Sequence, residues 1–282
     1  MIGAHVPGLF TGLFDDASMF PPQDEPVQSA VVGHLTHRAA WYADMIGPFV
    51  SSAARITTVD AVVARSGIDR IDVSMVVVDG FDGLHRALDW AGSCAHVNLA
   101  AIEIPLGVHD LHDALRQLTP LLAEDRLVYL EIPVQRVNEH YVHDLAPTGV
   151  RLKLRTGGTA IEAFQTEENL ARPIVLCAAE RLAFKCTAGL HHAVRQRDPA
   201  TLFEHHGFLN VALAARVAAA TGSPGATAAL LAERDPHALA YRIADLTPAD
   251  VLATRALFSS FGTCSISEPI DDLLGMGLVS VP

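Results

Sequence analysis

The sequence predicts an α/β protein, a single-domain (β/α)8 (TIM) barrel with a helical insertion before its last strand. Three observations carry that expectation. Short β-rich runs alternate with helical patterns along the whole chain, eight such runs can be counted, and four of them carry charged residues among aliphatic ones. Strands of a parallel barrel are covered on both faces, so a charge inside one marks a position turned towards the barrel axis. An open doubly wound sheet is the alternative with the same element order.

In chain order, the apolar run Gly8 to Phe14 is the first expected strand, followed by a helical pattern over Val27 to Ala43 with apolar residues every three or four positions. Ile46 to Ser51 and Ile71 to Val78 are the second and third strands, the latter ended by the turn residues Asp79-Gly80. A short helix over Leu84 to Trp90 leads to Val97 to Ile104, and Leu111 to Leu122 leads to Leu127 to Ile132; each strand is stopped by a proline, Pro105 or Pro133. Val150 to Arg155 alternates cation and aliphatic throughout. The helix Glu167 to Glu180 connects it to Leu182 to Thr187. Between there and the eighth strand, Phe261 to Ile266, the segment Thr201 to Ser260 contains several helical patterns broken at Gly222, Pro224, Pro236 and Pro248. No linker or low-complexity tract divides the chain, so one domain over 1–282 is expected, with the helical elaboration at about 201–260.

Composition excludes several function classes. A formal charge of −12 without a basic cluster argues against a nucleic-acid partner. The beginning of the chain lacks a basic n-region, and the apolar stretch Leu209 to Ala220 is short and contains Arg216; a cytoplasmic protein away from membranes is expected. The four cysteines have no CxxC spacing, against a zinc knuckle or disulfide framework. A hydrophobic fraction of 50% and a mean hydropathy of +0.28 suit a deep core and an apolar surface between subunits, so a homo-oligomer is an expectation.

Only two of the twenty Lys and Arg residues are lysines, Lys153 and Lys185. Arginine stays protonated, whereas a buried lysine amine can act as base or carbonyl nucleophile. Alternation in Val150-Arg151-Leu152-Lys153-Leu154-Arg155 turns the three cations inward, and the same parity turns Lys185 and Thr187 inward in the seventh strand. The echo of Ile102-Glu103-Ile104-Pro105 in Leu130-Glu131-Ile132-Pro133 aligns Glu103 with Glu131 on neighbouring strands. Two ammonium groups side by side disfavour double protonation, which prepares one amine to add to a carbonyl, while Glu103 or Glu131 moves protons.

Leu152-Lys153-Leu154-Arg155-Thr156-Gly157-Gly158, Phe184-Lys185-Cys186-Thr187-Ala188-Gly189 and Gly262-Thr263-Cys264-Ser265 resemble the sixth-, seventh- and eighth-strand segments of class I, Schiff-base aldolases of the deoxyribose-phosphate aldolase type. The resemblance implies an imine at Lys153, with Lys185 as the cation that tunes it and no cofactor. Here a glutamate, Glu103, replaces an aspartate on the fourth strand, and His191-His192 replaces a phosphate-facing turn. The carboxylates of Glu268, Asp271 and Asp272 crowd a helix start where they would repel phosphate. A small keto acid or aldehyde is therefore the expected substrate, with Arg155 pairing a carboxylate. Asp16, Thr187, His192, His206 and Ser265 are further substrate-binding candidates near strand ends, and His191 is a candidate general acid.

Asp79, Glu103 and Glu131, ending three successive strands ahead of Lys153, also resemble the enolase superfamily. This would imply Mg²⁺ or another divalent metal and proton abstraction next to a carboxylate. A non-enzymatic binder of a small acidic ligand is the third class, with Lys153, Lys185 and Arg155 neutralising it.

Overall fold

The computed structural model describes residues 7–122 and 126–281. Eight parallel strands close into a barrel: β1 (Phe14–Asp16), β2 (Ile46–Ser52), β3 (Ile71–Val76), β4 (Val97–Pro105), β5 (Leu127–Glu131), β6 (Arg151–Arg155), β7 (Phe184–Thr187) and β10 (Phe258–Thr263), with β10 sealing it between β7 and β1. The small hairpin β8 (Gln196–Arg197) and β9 (Glu204–His205) lies outside it. The open-sheet alternative is thereby excluded, because β1 pairs with both β2 and β10.

Helices α1 (Pro7–Phe10), α2 (Val27–Arg38), α3 (Ile56–Ser66), α4 (Leu84–Gly92), α5 (Leu111–Leu122), α6 (Glu139–Leu145) and α7 (Glu167–Glu180) follow in order. After the hairpin come α8 (Phe208–Thr221), α9 (Pro224–Ala232), α10 (Pro236–Ala244), α11 (Pro248–Leu257) and α12 (Ser267–Gly275). No helix among the described residues is long and apolar enough to cross a membrane.

Two strand boundaries differ from the sequence expectation, with consequences for the site. The apolar run at 8–14 is mostly not strand: Pro7–Phe10 is a helical turn, Gly12 reverses the chain at φ +56°, and extended backbone begins only at Phe14. Leu9, Phe10 and Leu13 are buried all the same, which is why an apolar run imitated a strand. At the other end β10 begins at Phe258, directly after α11, and stops at Thr263. Ser259 and Ser260 lie inside this strand and not in the helical segment expected at about 201–260.

The elaboration before β10 has a physical reason. Helix α8 is apolar on nearly every face, and Phe208 through Ala215 are all buried. One face meets the outside of the barrel, where Phe208 packs against Phe14 and Phe261 at ring separations of 5.5 and 5.1 Å. The other faces need cover, which α7, α9, α10 and α11 supply. Caps fit this arrangement: Ser223 and Asp235 start α9 and α10, and Thr247 with Asp250 forms a reciprocal capping box at α11.

Phe14, Phe184, Phe258 and Phe261 turn outward to this aromatic core, so the side chains of their neighbours Asp15, Lys185 and Ser260 turn to the barrel axis. The interior is consequently polar, with charge where barrels of this kind ordinarily carry branched aliphatics.

Candidate active site

Strand pairing places Lys153 of β6 directly beside Lys185 of β7 and beside Glu131 of β5. Glu103 of β4 is paired with Tyr129, so it lies two residues below Glu131. The sequence echo between the two glutamates therefore does not align them. Strands separated by a crossover helix keep no register that a local repeat can reveal. The offset is what lets both carboxylates reach one amine: Lys153 Nζ donates to Glu103 Oε2 at 2.8 Å and to Glu131 Oε2 at 2.9 Å.

Lys185 Nζ donates to the other oxygen of Glu103 at 2.5 Å and to Asp15 Oδ2 at 2.5 Å, and it lies 5.1 Å from the centre of the Tyr129 ring. Ser74 Oγ donates to Glu103 Oε1 at 2.6 Å, and Ser260 Oγ to Asp15 Oδ2 at 2.8 Å. Arg155 closes the chain at the mouth, Nε to Glu131 Oε1 at 2.8 Å. Three cations thus face three carboxylates, and Glu103 is the hub with one oxygen for each lysine.

The electrostatics follow from that hub. Burial alone would lower the pKa of Lys185, but the carboxylates of Asp15 and Glu103 outweigh it and hold the ammonium charged well above the ordinary lysine range. Repulsion between the ammonium groups, expected to free a proton, is overcome at Lys185 by the carboxylate between them. Burial pushes Glu103 upward, but the two lysines win and keep it far below the usual carboxylate range. Glu131 is lowered too, because Lys153 and Arg155 outweigh its burial. Asp15 goes the other way: complete burial raises its carboxyl, and Lys185 offsets only part of that. Its second oxygen, Oδ1, is buried without a hydrogen bond.

Access is graded. Side-chain exposure rises from 2% at Glu103 and 4% at Lys153 to 16% at Glu131 and 47% at Arg155, a polar column opening at the C-terminal ends of the strands. Lys185, beside Lys153 in register, is equally enclosed at 2%. On the opposite side a cavity of about 310 Å³ reaches Asp15 and Lys185 from the N-terminal strand ends, past Tyr129, Arg151 and Arg255.

The remaining candidates lie outside this network. Asp16 turns away from the axis to His34 Nδ1 of α2, at 3.1 Å, and accepts from the backbone N–H of Ser18; it lines a pocket of about 110 Å³ with His34, Cys264 and Ser265. Ser265 Oγ accepts from the Glu268 N–H ahead of α12. Thr187 follows Lys185 at the strand end, and its carbonyl accepts from the Thr156 N–H. His191 Nδ1 lies 3.4 Å from both Cys264 Sγ and Glu268 Oε2, and burial, with His205 and His192 nearby, pushes it down to about 4, while burial pushes the Cys264 thiol up to about 11. His192 is raised by its hydrogen bond to Asp272. His206 is buried between Arg195 and the Gln165 carbonyl, and burial pushes it down to about 4. No hydrogen bond or ion pair among the described residues joins Asp16, Ser265, His191, His192 or His206 to the lysine–carboxylate network.

Asp79 is not part of the expected carboxylate triad. It is largely exposed after β3 and pairs with Arg86 at 2.8 Å, while the oxygens of Glu103 and Glu131 are taken by the lysines and Arg155. The enolase-like arrangement of Asp79, Glu103 and Glu131 is not assembled.

Sequence reasoning missed Asp15, Ser74 and Ser260. Parity would have found Asp15, one residue after the outward Phe14, had the first strand not been ended at Phe14; the same error of boundary hid Ser260.

Comparison with solved structures agrees with the architecture. The chain superposes over 96% of its length on 93% of a deoxyribose phosphate aldolase from Aeropyrum pernix, with a TM-score of 0.53 and 11% sequence identity. The fold is similar to that aldolase's. A second structure, the aldolase QR15, matches at a TM-score of 0.49 and 11% identity over 95% of this chain and 97% of its own. No protein-family model and no curated protein matches the sequence.

Proposed function

We propose that the protein is a Schiff-base lyase of the aldolase type, with Lys153 as the nucleophile and a small keto acid or aldehyde as substrate. The observation that carries this reading is the division of labour between the lysines. Lys185 is held charged by Asp15 and Glu103, whereas Lys153 shares the partly exposed Glu131 with Arg155 towards the C-terminal strand ends. The aldolase likeness of the barrel supports the same class.

In this reading Lys153 passes a proton to Glu131, the more exposed of its two carboxylates, and its nitrogen lone pair forms a C–N bond to the substrate carbonyl carbon. The carbonyl π electrons move to oxygen, which takes a proton from the new ammonium nitrogen to give a neutral carbinolamine. The one proton held by Glu131 then lets the hydroxyl leave as water, and the nitrogen lone pair forms the protonated imine. In the cleavage direction a base takes the proton of the β-hydroxyl, the Cα–Cβ bond breaks, and its electron pair flows into the imine as an enamine. Protonation at Cα and hydrolysis return the amine. Glu103, pinned by both lysines, stays anionic and holds them in place; Lys185 supplies a fixed positive charge. Arg155 reaches solvent with its terminal amino groups unbonded among the described residues, suited to a substrate carboxylate.

Incubation with pyruvate or acetaldehyde followed by borohydride is expected to add the substrate mass to Lys153, and Lys153→Met is expected to abolish it. An adduct undiminished in Lys153→Met, or one mapped to Lys185, refutes the assignment. The aldolase from Aeropyrum pernix is described as tetrameric, which supports the expectation of a homo-oligomer for this chain; light scattering tests it.

A further inference from the structure

We infer that His112, His140 and Asp144 form a binding site for a divalent transition-metal ion of the zinc class on the outer wall of the barrel. His140 and Asp144 are four residues apart on α6 and share one helix face, and His112, in the first turn of α5, reaches the same point from the neighbouring unit. His140 Nε2 lies 3.4 Å and His112 Nε2 3.8 Å from the same oxygen, Asp144 Oδ2, and one ligand atom from each residue falls within 4.8 Å of the others. Bonds of about 2.0–2.2 Å to a tetrahedral zinc ion place its ligand atoms about 3.3 Å apart, so small rotations of two imidazoles complete the set.

The second observation concerns Asp144 itself. Its Oδ2 is shielded from solvent and makes no hydrogen bond, an unusual state for a carboxylate oxygen, and it points between the two rings. A cation shared by the two imidazole nitrogens and this oxygen is the partner that the geometry accommodates. Two nitrogens and one carboxylate oxygen select zinc, nickel or copper over magnesium or calcium. The rings are 63% and 69% exposed, which leaves the fourth position to water. Neither ring's Nδ1 has a protein hydrogen-bond partner among the described residues, so nothing fixes the rings' orientation towards the ion and the affinity is expected to be micromolar. The ion would tie α5 to α6, the helices that follow the strands bearing Glu103 and Glu131, and act on stability more than on chemistry.

The test is a Zn²⁺ titration of chelator-stripped protein against a chromophoric chelator of micromolar affinity, with melting curves alongside. One equivalent is expected to bind and to raise the melting temperature, with no rise from Mg²⁺. His112→Ala and His140→Ala, both at exposed positions, are each expected to weaken this binding at least about tenfold and remove the thermal shift. Co²⁺ in place of Zn²⁺ should give visible d–d bands without a thiolate charge-transfer band. Failure to compete with the chelator, or binding kept within twofold by both histidine variants, overturns the assignment.

Discussion

Replacing Glu103 by Gln tests whether one carboxylate holds the two lysines side by side. The amide can still accept from one ammonium, but its NH₂ then faces the other, which loses Glu103 and meets a donor instead. Breaking a buried ion pair on one side costs about 3–5 kcal/mol. An independent estimate agrees: two ammonium groups bound to the two oxygens of one carboxylate stand roughly 5 Å apart, and unscreened repulsion at an effective dielectric constant near 20 is about 3 kcal/mol. The pH dependence separates this from ordinary packing loss. In the native protein the pKa of Lys185 is raised above its ordinary 10.5, so its contribution is complete below that value and is lost only as pH rises through the higher folded value. In the variant one amine gives up its proton in the folded state while the unfolded chain keeps it. Stability should then rise between pH 7.5 and 9.5, by about 1–2 kcal/mol. Urea unfolding at both pH values measures this. A loss under about 1 kcal/mol at pH 7.5, or parallel pH dependences for the two proteins, refutes the role given to Glu103.

Two further outcomes are expected. A methyl group at Gly47 would run into Asp15 Oδ1, so Gly47→Ala should push that carboxylate off Lys185 and cost about 1–3 kcal/mol; combined with Asp15→Asn the two losses should fall short of additive, and strict additivity would mean that they do not share the contact. His206 is held neutral by burial, with a value of about 4 against an ordinary 6.5, so the unfolded chain takes up its proton first as pH falls; stability is lost from pH 6.5 downward, about 2 kcal/mol by pH 5, and unfolding curves of His206→Gln should show a flatter acid limb.

The barrel was legible because its signal is local. Period-2 alternation in β6 and β7 fixes which side chains face the axis wherever those strands pair, so the inward lysines followed from Leu152, Leu154, Phe184 and Cys186 alone. The helical pattern over Glu167 to Glu180 matched α7 for the same reason, and that over Leu111 to Leu122 matched α5. Boundaries were less legible at the first and last strands, where buried leucines in a helical turn and serines inside a strand reversed the usual correspondence between polarity and position.

By itself the sequence determined the order of the eight barrel strands, the parity that turns Lys153 and Lys185 inward and the chemical oddity of two lysines among many arginines. These depend on covalent order and on the fixed periods of strand and helix. Only the tertiary structure decided that Glu103 and Glu131 are offset by two residues, that Asp15 and not Asp16 meets Lys185, that Asp79 stands apart, and that His112 joins His140 and Asp144. Each depends on how distant segments slide and tilt as the barrel closes, which the packing of the whole chain sets and no local pattern encodes.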